Sequence, residues 1–192
     1  MRGLVLVSGL PACGKSTLAR RLGDDLGLPV LCRDRLRNRA FGQITERLPD
    51  DEQWRVGRTI DLLLNELAAE LLRSASGAVI DSNFNWAPQI EAVRSLVRET
   101  GAPCIEVCLW ADADECRRRF IARGDPPWDD AIAPHFEAAV ARDREPVLCH
   151  GEGPVIEVDT TSFAELDARY GSILDAVRAN LTPPRPTPAP GS

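Results

Sequence analysis

The chain has 192 residues, of which 44% are apolar and 27% charged, and it carries a formal net charge of −6. This is the length and balance of one globular domain with enough apolar surface for a real core, which excludes wholesale disorder. No apolar run approaches the ~20 residues that span a bilayer, and Leu4 to Val7 is too short for a signal-peptide core, so a cytoplasmic protein without a membrane partner is expected. The acidic balance argues against coating nucleic acid through bulk charge, although a local basic site would survive it.

Taken in chain order, apolar runs alternate with helix-period segments, the pattern of βα units that build a parallel sheet. Arg2 to Ser8 reads as a buried strand and Ser16 to Leu26 as the helix after it. Pro29 to Cys32 is a short second strand, followed by a helix from about Asp34 to Ala40. Ile60, Leu63, Leu64, Leu67 and Leu71 mark Asp51 to Ser74 as the longest helix. Gly77 to Asp81 is a third strand, and Pro88 to Thr100 a helix stopped by Gly101 in a left-handed cap. Ala102 to Trp110 is a fourth strand. Asp112 to Arg123 is a helix whose acidic start suits its dipole. Gly124 and Pro126-Pro127 break the pattern before a helix from Ile132 to Arg142. Pro154 to Val158 is the fifth strand and Ser162 to Leu181 the closing helix. From Thr182 to Ser192 the composition turns to Pro, Thr, Ala and Gly, which reads as a disordered tail after a domain spanning 1–181. The six cysteines form no C-x-x-C pair, and only His135 and His150 are available to a zinc site, so buried free thiols are expected.

Residues Gly9, Leu10, Pro11, Ala12, Cys13, Gly14, Lys15 and Ser16 match G-x-x-x-x-G-K-[ST] between the first strand and the first helix. Glycines at both ends let the backbone curl so that its N–H groups point at phosphate oxygens, and the helix N-terminus adds partial positive charge. The loop runs on into Thr17, which is counted with it as nucleotide-binding. This predicts ATP and Mg²⁺, with Lys15 on the β- and γ-phosphates and Ser16 on the metal. Lys15 is the single lysine beside 22 arginines. The fold expected is therefore the P-loop NTPase fold, a three-layer α/β/α sandwich with a five-stranded parallel sheet and a helical lid.

The rest of the chain selects among the reactions such loops serve. With no second lysine, guanine recognition by a later lysine is excluded. Val79-Ile80-Asp81-Ser82-Asn83 ends a strand with one Asp and no following Glu, which weighs against hydrolysis as the main task. Transfer to a hydroxyl needs a carboxylate to accept its proton and cations to offset charge on the moving phosphoryl group. Asp34, after the second strand, is the candidate base, with a helix N-cap as the other reading. Arg37 shares its helical face and could reach the same acceptor, or be merely exposed. Arg119 and Arg123 share a face before a breaker segment and suit a lid that supplies charge. A solvated helix paired with Asp112, Asp114 and Glu115 remains open. Asp81 is placed near Mg²⁺, or caps a turn. Asn83, Asn85 and Trp86 follow it and could touch the acceptor.

Gly9 to Thr17, then Arg33 to Arg37, then Val79 to Asn83, then Arg119 to Gly124 resemble the four motifs of the kinase domain of polynucleotide 5′-hydroxyl kinases, over residues 1 to about 160. The wider group includes zeta-toxin-type sugar-nucleotide kinases and antibiotic phosphotransferases. The resemblance implies Asp34 as general base, Arg37 at the acceptor, Asp81 in the active-site network, and Arg123 on the transferring phosphate. It also implies that Asp159 and Thr160, before the last helix, border the adenine. Three functions follow. The first is a kinase acting on a small or nucleotide-like hydroxyl acceptor, which the arginines near Asp34 suggest already bears phosphate. The second is a polynucleotide 5′-kinase, for which Trp54, Trp86, Trp110 and Trp128 are the candidate base-stacking residues. The third is an ATP-binding regulatory module without catalysis.

Overall fold

The computed structural model describes residues 1–45, 49–74, 76–84, 86–124, 132–140 and 152–181. Asn85, Trp128, Pro126-Pro127, Cys149, His150 and the 182–192 tail lie outside the described residues, as do the side chains of Trp54 and His135. The elements run β1 Gly3–Gly9, α1 Lys15–Leu26, β2 Val30–Cys32, α2 Arg33–Thr45, α3 Asp50–Arg73, β3 Gly77–Asp81, α4 Ala87–Thr100, β4 Cys104–Trp110, α5 Ala113–Arg123, α6 Ile132–Val140, β5 Val155–Asp159 and α7 Phe163–Leu181. The five strands form one sheet in the order β2-β3-β1-β4-β5, and every pairing is parallel.

Parallel strands bury both faces, so their side chains feed two separate cores. Val5, Val7, Val79, Ile105, Val107 and Leu109 face Leu18 and Leu22 of α1 and Ile173 and Val177 of α7. Leu4, Leu6, Ala78, Ile80 and Cys104 face Leu72 of α3 and Val93 and Val97 of α4. The alternation along each strand is what makes a three-layer sandwich. Glu106, buried in β4, is reconciled with that core by accepting a hydrogen bond from the Ser8 hydroxyl at the end of β1.

Element limits differ from the sequence reading by a residue or two, except that α2 continues to Thr45 rather than stopping at Ala40 and that the end expected for α6 at Arg142 lies outside the described residues. Strand β4 starts at Cys104 because the Pro103 nitrogen has no hydrogen to give a ladder, although its carbonyl still accepts from Leu4 at 2.8 Å. Gly101 ends α4 in the left-handed conformation (φ 56), as expected. Cys13, Cys32, Cys104, Cys108 and Cys116 are buried free thiols, and burial pushes the Cys13 thiol up. No helix among the described residues is long and apolar enough to cross a membrane.

The chain leaves β1 for β2 and β3 on one flank and crosses to β4 and β5 on the other. The order reverses beside β1, which opens a crevice at the C-terminal ends of the strands.

Candidate active site

The crevice is a cleft of about 700 Å³. Its floor is the loop between β1 and α1. Gly9 has φ +133, and a Cβ there would lie 1.9 Å from the Leu109 carbonyl oxygen, so only glycine lets the loop leave the sheet so close to β4. Gly14 has φ +96, and a Cβ there would crowd the Phe163 ring at 3.0 Å. Ala12 is also left-handed at φ 60, a strained conformation of the kind that gathers at functional loops. The Lys15 ammonium is buried and donates to the Leu10 carbonyl at 2.6 Å, which holds it inside the curl it would share with a phosphate.

Beneath the loop, Thr160 is fully buried, and its hydroxyl stands 2.7 Å from the Cys13 carbonyl oxygen and 2.9 Å from that of Trp110. The Trp110 carbonyl also receives the Thr160 N–H at 2.8 Å. The Cys13 carbonyl is thus the acceptor that depends on the hydroxyl, which pins the loop to the β4 and β5 ends. Asp159 accepts from the Thr161 N–H at 2.8 Å and shapes the same turn.

Pro11, Ala12, Gly14, Lys15, Ser16 and Thr17 line the cleft, and so do Asp34, Arg37, Arg119 and Arg123. Gly9, Leu10, Cys13, Asp81, Asp159 and Thr160 are not among its lining residues. Asp34 is the second residue of α2, inside the helix rather than at its cap, and its side chain is 61% exposed. Asp81 ends β3 almost fully buried, with Oδ2 lacking a hydrogen-bond partner. The neighbouring Cys32 thiol is pushed up by burial first and by Asp81 second. Asn83 lines the cleft beyond Asp81.

On the other flank, α5 is the ion-paired helix of the second reading, with two of its arginines on the cleft. Asp112 caps the helix by accepting from the N–H groups of Asp114 at 2.9 Å and Glu115 at 3.1 Å. Glu115 accepts from Arg118 at 2.6 and 2.7 Å and from Arg119 Nε at 2.6 Å, and these bonds, Arg118 first, hold its carboxyl down to about 2. Arg117 forks onto Glu137 with two bonds of 2.9 Å, and the Phe120 and Phe136 rings meet at 5.2 Å, so α6 is strapped to α5. Arg119 nevertheless lines the cleft. Its Nη2 donates to the Thr161 carbonyl at 2.9 Å, its guanidinium lies 3.9 Å over Phe163, and its Nη1 is buried without a partner.

Six further lining residues escaped the sequence reading: Arg20, Asn38, Phe120, Phe136, Ala139 and Phe163. Arg20 carries a legible signal, since it stands one turn after Ser16 on the same helix and donates back to its carbonyl at 3.1 Å. The three aromatics converge from three different helices, which no local pattern discloses. Among the described residues the cleft thus sets five cationic side chains, Lys15, Arg20, Arg37, Arg119 and Arg123, against the single carboxylate of Asp34, on a chain whose net charge is −6.

The sequence matches the AAA_33 family, an AAA domain, over residues 4–146. The chain belongs to the AAA_33 family. This AAA_33 chain is similar to a candidate kinase from Chloroflexus aurantiacus J-10-fl, with 30% identity, a TM-score of 0.77, and coverage of 93% of this chain and 95% of the other. Its fold is shared by Chaetomium thermophilum Kti12, whose structure holds ADP-AlF3, at 16% identity and TM-score 0.68, covering 94% and 100% of the two chains. It is shared too by a gluconokinase from Sinorhizobium meliloti 1021, at 17% identity and TM-score 0.61, covering 93% and 95%. None of the curated proteins compared matches the AAA_33 chain in sequence. The fold is thus the five-stranded parallel P-loop NTPase fold in the form that kinases use.

Proposed function

We propose that the protein is an ATP-dependent kinase that passes the γ-phosphoryl group to a hydroxyl of a small or nucleotide-like acceptor. The observation that carries this reading is the convergence in one cleft of the phosphate loop, the carboxylate of Asp34 and the arginines of two opposite flanks. The loop N–H groups and Lys15 receive the β- and γ-phosphates, with a phosphate oxygen taking over the contact Lys15 now makes with Leu10. Phe120, Phe136 and Phe163, with Arg119 stacked on the last, offer the flat surfaces that suit an adenine. Arg119 and Arg123 offset charge on the phosphoryl group as it moves.

Mg²⁺ fits the residues present. The buried Oδ2 of Asp81 lacks a hydrogen-bond partner, the Ser16 side chain opens on the cleft, and hard oxygen donors with few protein ligands are what this ion accepts. Ser16 and Asp81 would hold it, and when bound it draws charge off the β- and γ-phosphate oxygens. Asp34 accepts the proton of the acceptor hydroxyl, and its exposure at the cleft wall gives that hydroxyl access. Arg37, one turn on, makes no ion pair among the described residues. It is suited to an anionic group on the acceptor, as are Asn38 and Asn83 to its hydroxyls.

The gluconokinase acts on a sugar acid by its name, which fits that acceptor chemistry without deciding it. A polynucleotide 5′-kinase is the second reading. Against it, among the described residues the aromatics that line the cleft belong to α5, α6 and α7 and none to α2. The test is transfer of labelled γ-phosphate to a panel of sugar acids, sugar phosphates, nucleosides, nucleotides and 5′-hydroxyl oligonucleotides, with Asp34→Asn in parallel. Label on a small acceptor, lost in the variant, is the expected result. Label on oligonucleotides alone, with acceptor binding that weakens steeply with salt, would establish the polynucleotide reading. ATP binding without transfer to any acceptor would leave a regulatory nucleotide-binding module.

A further inference from the structure

None of the described side chains of α3 lines the cleft, yet the helix carries two buried polar side chains one turn apart, Asp61 and Asn65. Asp61 Oδ1 accepts from Arg33 Nε at 2.6 Å, and Oδ2 lies 3.7 Å from Arg58 Nη1. Arg33 opens α2, and its Nη1 reaches Asp34 Oδ1 at 3.3 Å. A Cβ on Gly57 would come within 3.0 Å of Arg33 Nη2, so glycine there leaves room for the guanidinium against α3. Arg58 lies 4.6 Å over the ring of Trp86, just before α4. Asn65 donates to the Gln89 carbonyl at 3.4 Å, and the Gln89 amide donates to the Ser82 hydroxyl at 3.0 Å. Asp61 thus holds the start of α2, while Asn65, through Gln89, holds the segment after β3.

A carboxylate 1% exposed is costly to desolvate, and an apolar residue of similar volume would serve helix packing at least as well. Burial pushes the Asp61 carboxyl up, with Arg33 pulling it the other way. Its contacts therefore answer to geometry better than to stability. We infer that Asp61 is a positioning residue for phosphoryl transfer: through Arg33 it sets where Asp34 stands at the cleft wall. The inference rests on the reading of Asp34 as the base. Arg33 is the coupling element because a planar guanidinium can bind both carboxylates at once, which an ammonium on a flexible stem does poorly.

The experiment uses Asp61→Asn, Arg33→Lys and the double variant of the whole chain. It measures kcat on the acceptor found above, the Kd of ATP by calorimetry, and amide hydrogen exchange. Each single variant should lower kcat by about 10- to 100-fold, the usual effect of losing a partner that orients a functional side chain. The Kd of ATP should stay within about twofold, because Asp61 and Arg33 are not among the residues that line the cleft, and the double variant should be no slower than the slower single, as two parts of one contact require. Exchange in the segment 33–40 should quicken while that in 15–26 does not. Singles whose effects multiply, a Kd that worsens as much as kcat falls, or unchanged exchange in 33–40 would each overturn the inference. If Asp61→Asn does not fold, Arg33→Lys decides by the same readouts. If wild-type protein phosphorylates nothing, the kinase reading fails, and exchange alone still shows whether Asp61 orders the start of α2.

Discussion

Two glycines of the phosphate loop should respond differently to the same added methyl group. At Gly9 a Cβ would meet the Leu109 carbonyl oxygen at 1.9 Å and its carbon at 2.8 Å, so relief requires β1 and β4 to part where they pair. Adding ~1–3 kcal/mol for the backbone conformation and ~1 kcal/mol for a weakened ladder bond gives about 2–4 kcal/mol. For a chain of this size that is a fall in Tm of about 4–16 °C. At Gly14 the first atom met is Phe163 Cε1 at 3.0 Å, on a ring 46% exposed that can swing aside, so little more than the conformational cost remains. Thermal unfolding followed by circular dichroism, with ATP titration calorimetry, separates them. Gly9→Ala should lose more Tm, and Gly14→Ala should lose ATP affinity at a smaller cost in Tm. Phe163→Ala should recover part of the stability lost in Gly14→Ala, whereas Leu109→Ala should recover none lost in Gly9→Ala, because the obstacle there is backbone. Rescue by Leu109→Ala, or a Gly9→Ala protein as stable as Gly14→Ala, would refute the reasoning.

Asp34→Asn should lower kcat by about 10²- to 10⁴-fold with Tm and the Kd of ATP unchanged, as steady-state kinetics beside calorimetry will show. Thr160→Val removes the hydroxyl on which the Cys13 carbonyl depends and should cost ~1–3 kcal/mol in denaturant unfolding, together with ATP affinity. An unchanged unfolding midpoint would show that the loop is held by other means. Glu115, depressed from its ordinary 4.5 to about 2, stabilises the folded chain above pH 4.5 and loses that effect as pH falls through about 2. The Tm gap between wild type and Glu115→Gln should therefore be open at pH 6 and closed near pH 2. A gap that ignores pH would exclude this ion pair as its source.

The sheet, its helices and the phosphate loop were legible because each rests on a local signal: two-sided apolar runs, helical periodicity, and glycines at fixed spacing. The end of α2 was not, since arginines fill its first turns and the apolar Phe41 and Ile44 come only later. Asp34 could be brought to the crevice on paper from parallel topology, Arg37 from its place on the same helical face, and Arg119 and Arg123 from their spacing together with the family resemblance. The aromatic wall could not, because Phe120, Phe136 and Phe163 meet only through tertiary packing. Thr160 presents a different difficulty: the resemblance implied only that it borders the adenine, and that its hydroxyl faces the carbonyl of Cys13 requires the packed structure. Asp61 did leave a trace, as an acidic residue beside Ile60 on the apolar stripe of a long helix, a local conflict of the sort that marks a constrained position.

The strand order has a consequence for how such an enzyme can change over generations. Residues proposed for the acceptor, Asp34, Arg37, Asn38 and Asn83, follow β2 and β3 on one flank of β1, while those proposed for the nucleotide base and the lid follow β4 and β5 on the other. The two groups share the phosphate loop and little else. On the proposed kinase reading, substitutions in α2 and the segment after β3 would retarget the protein to a new acceptor while donor handling stays intact, so one scaffold could radiate into many phosphorylation reactions by revising half of its crevice at a time.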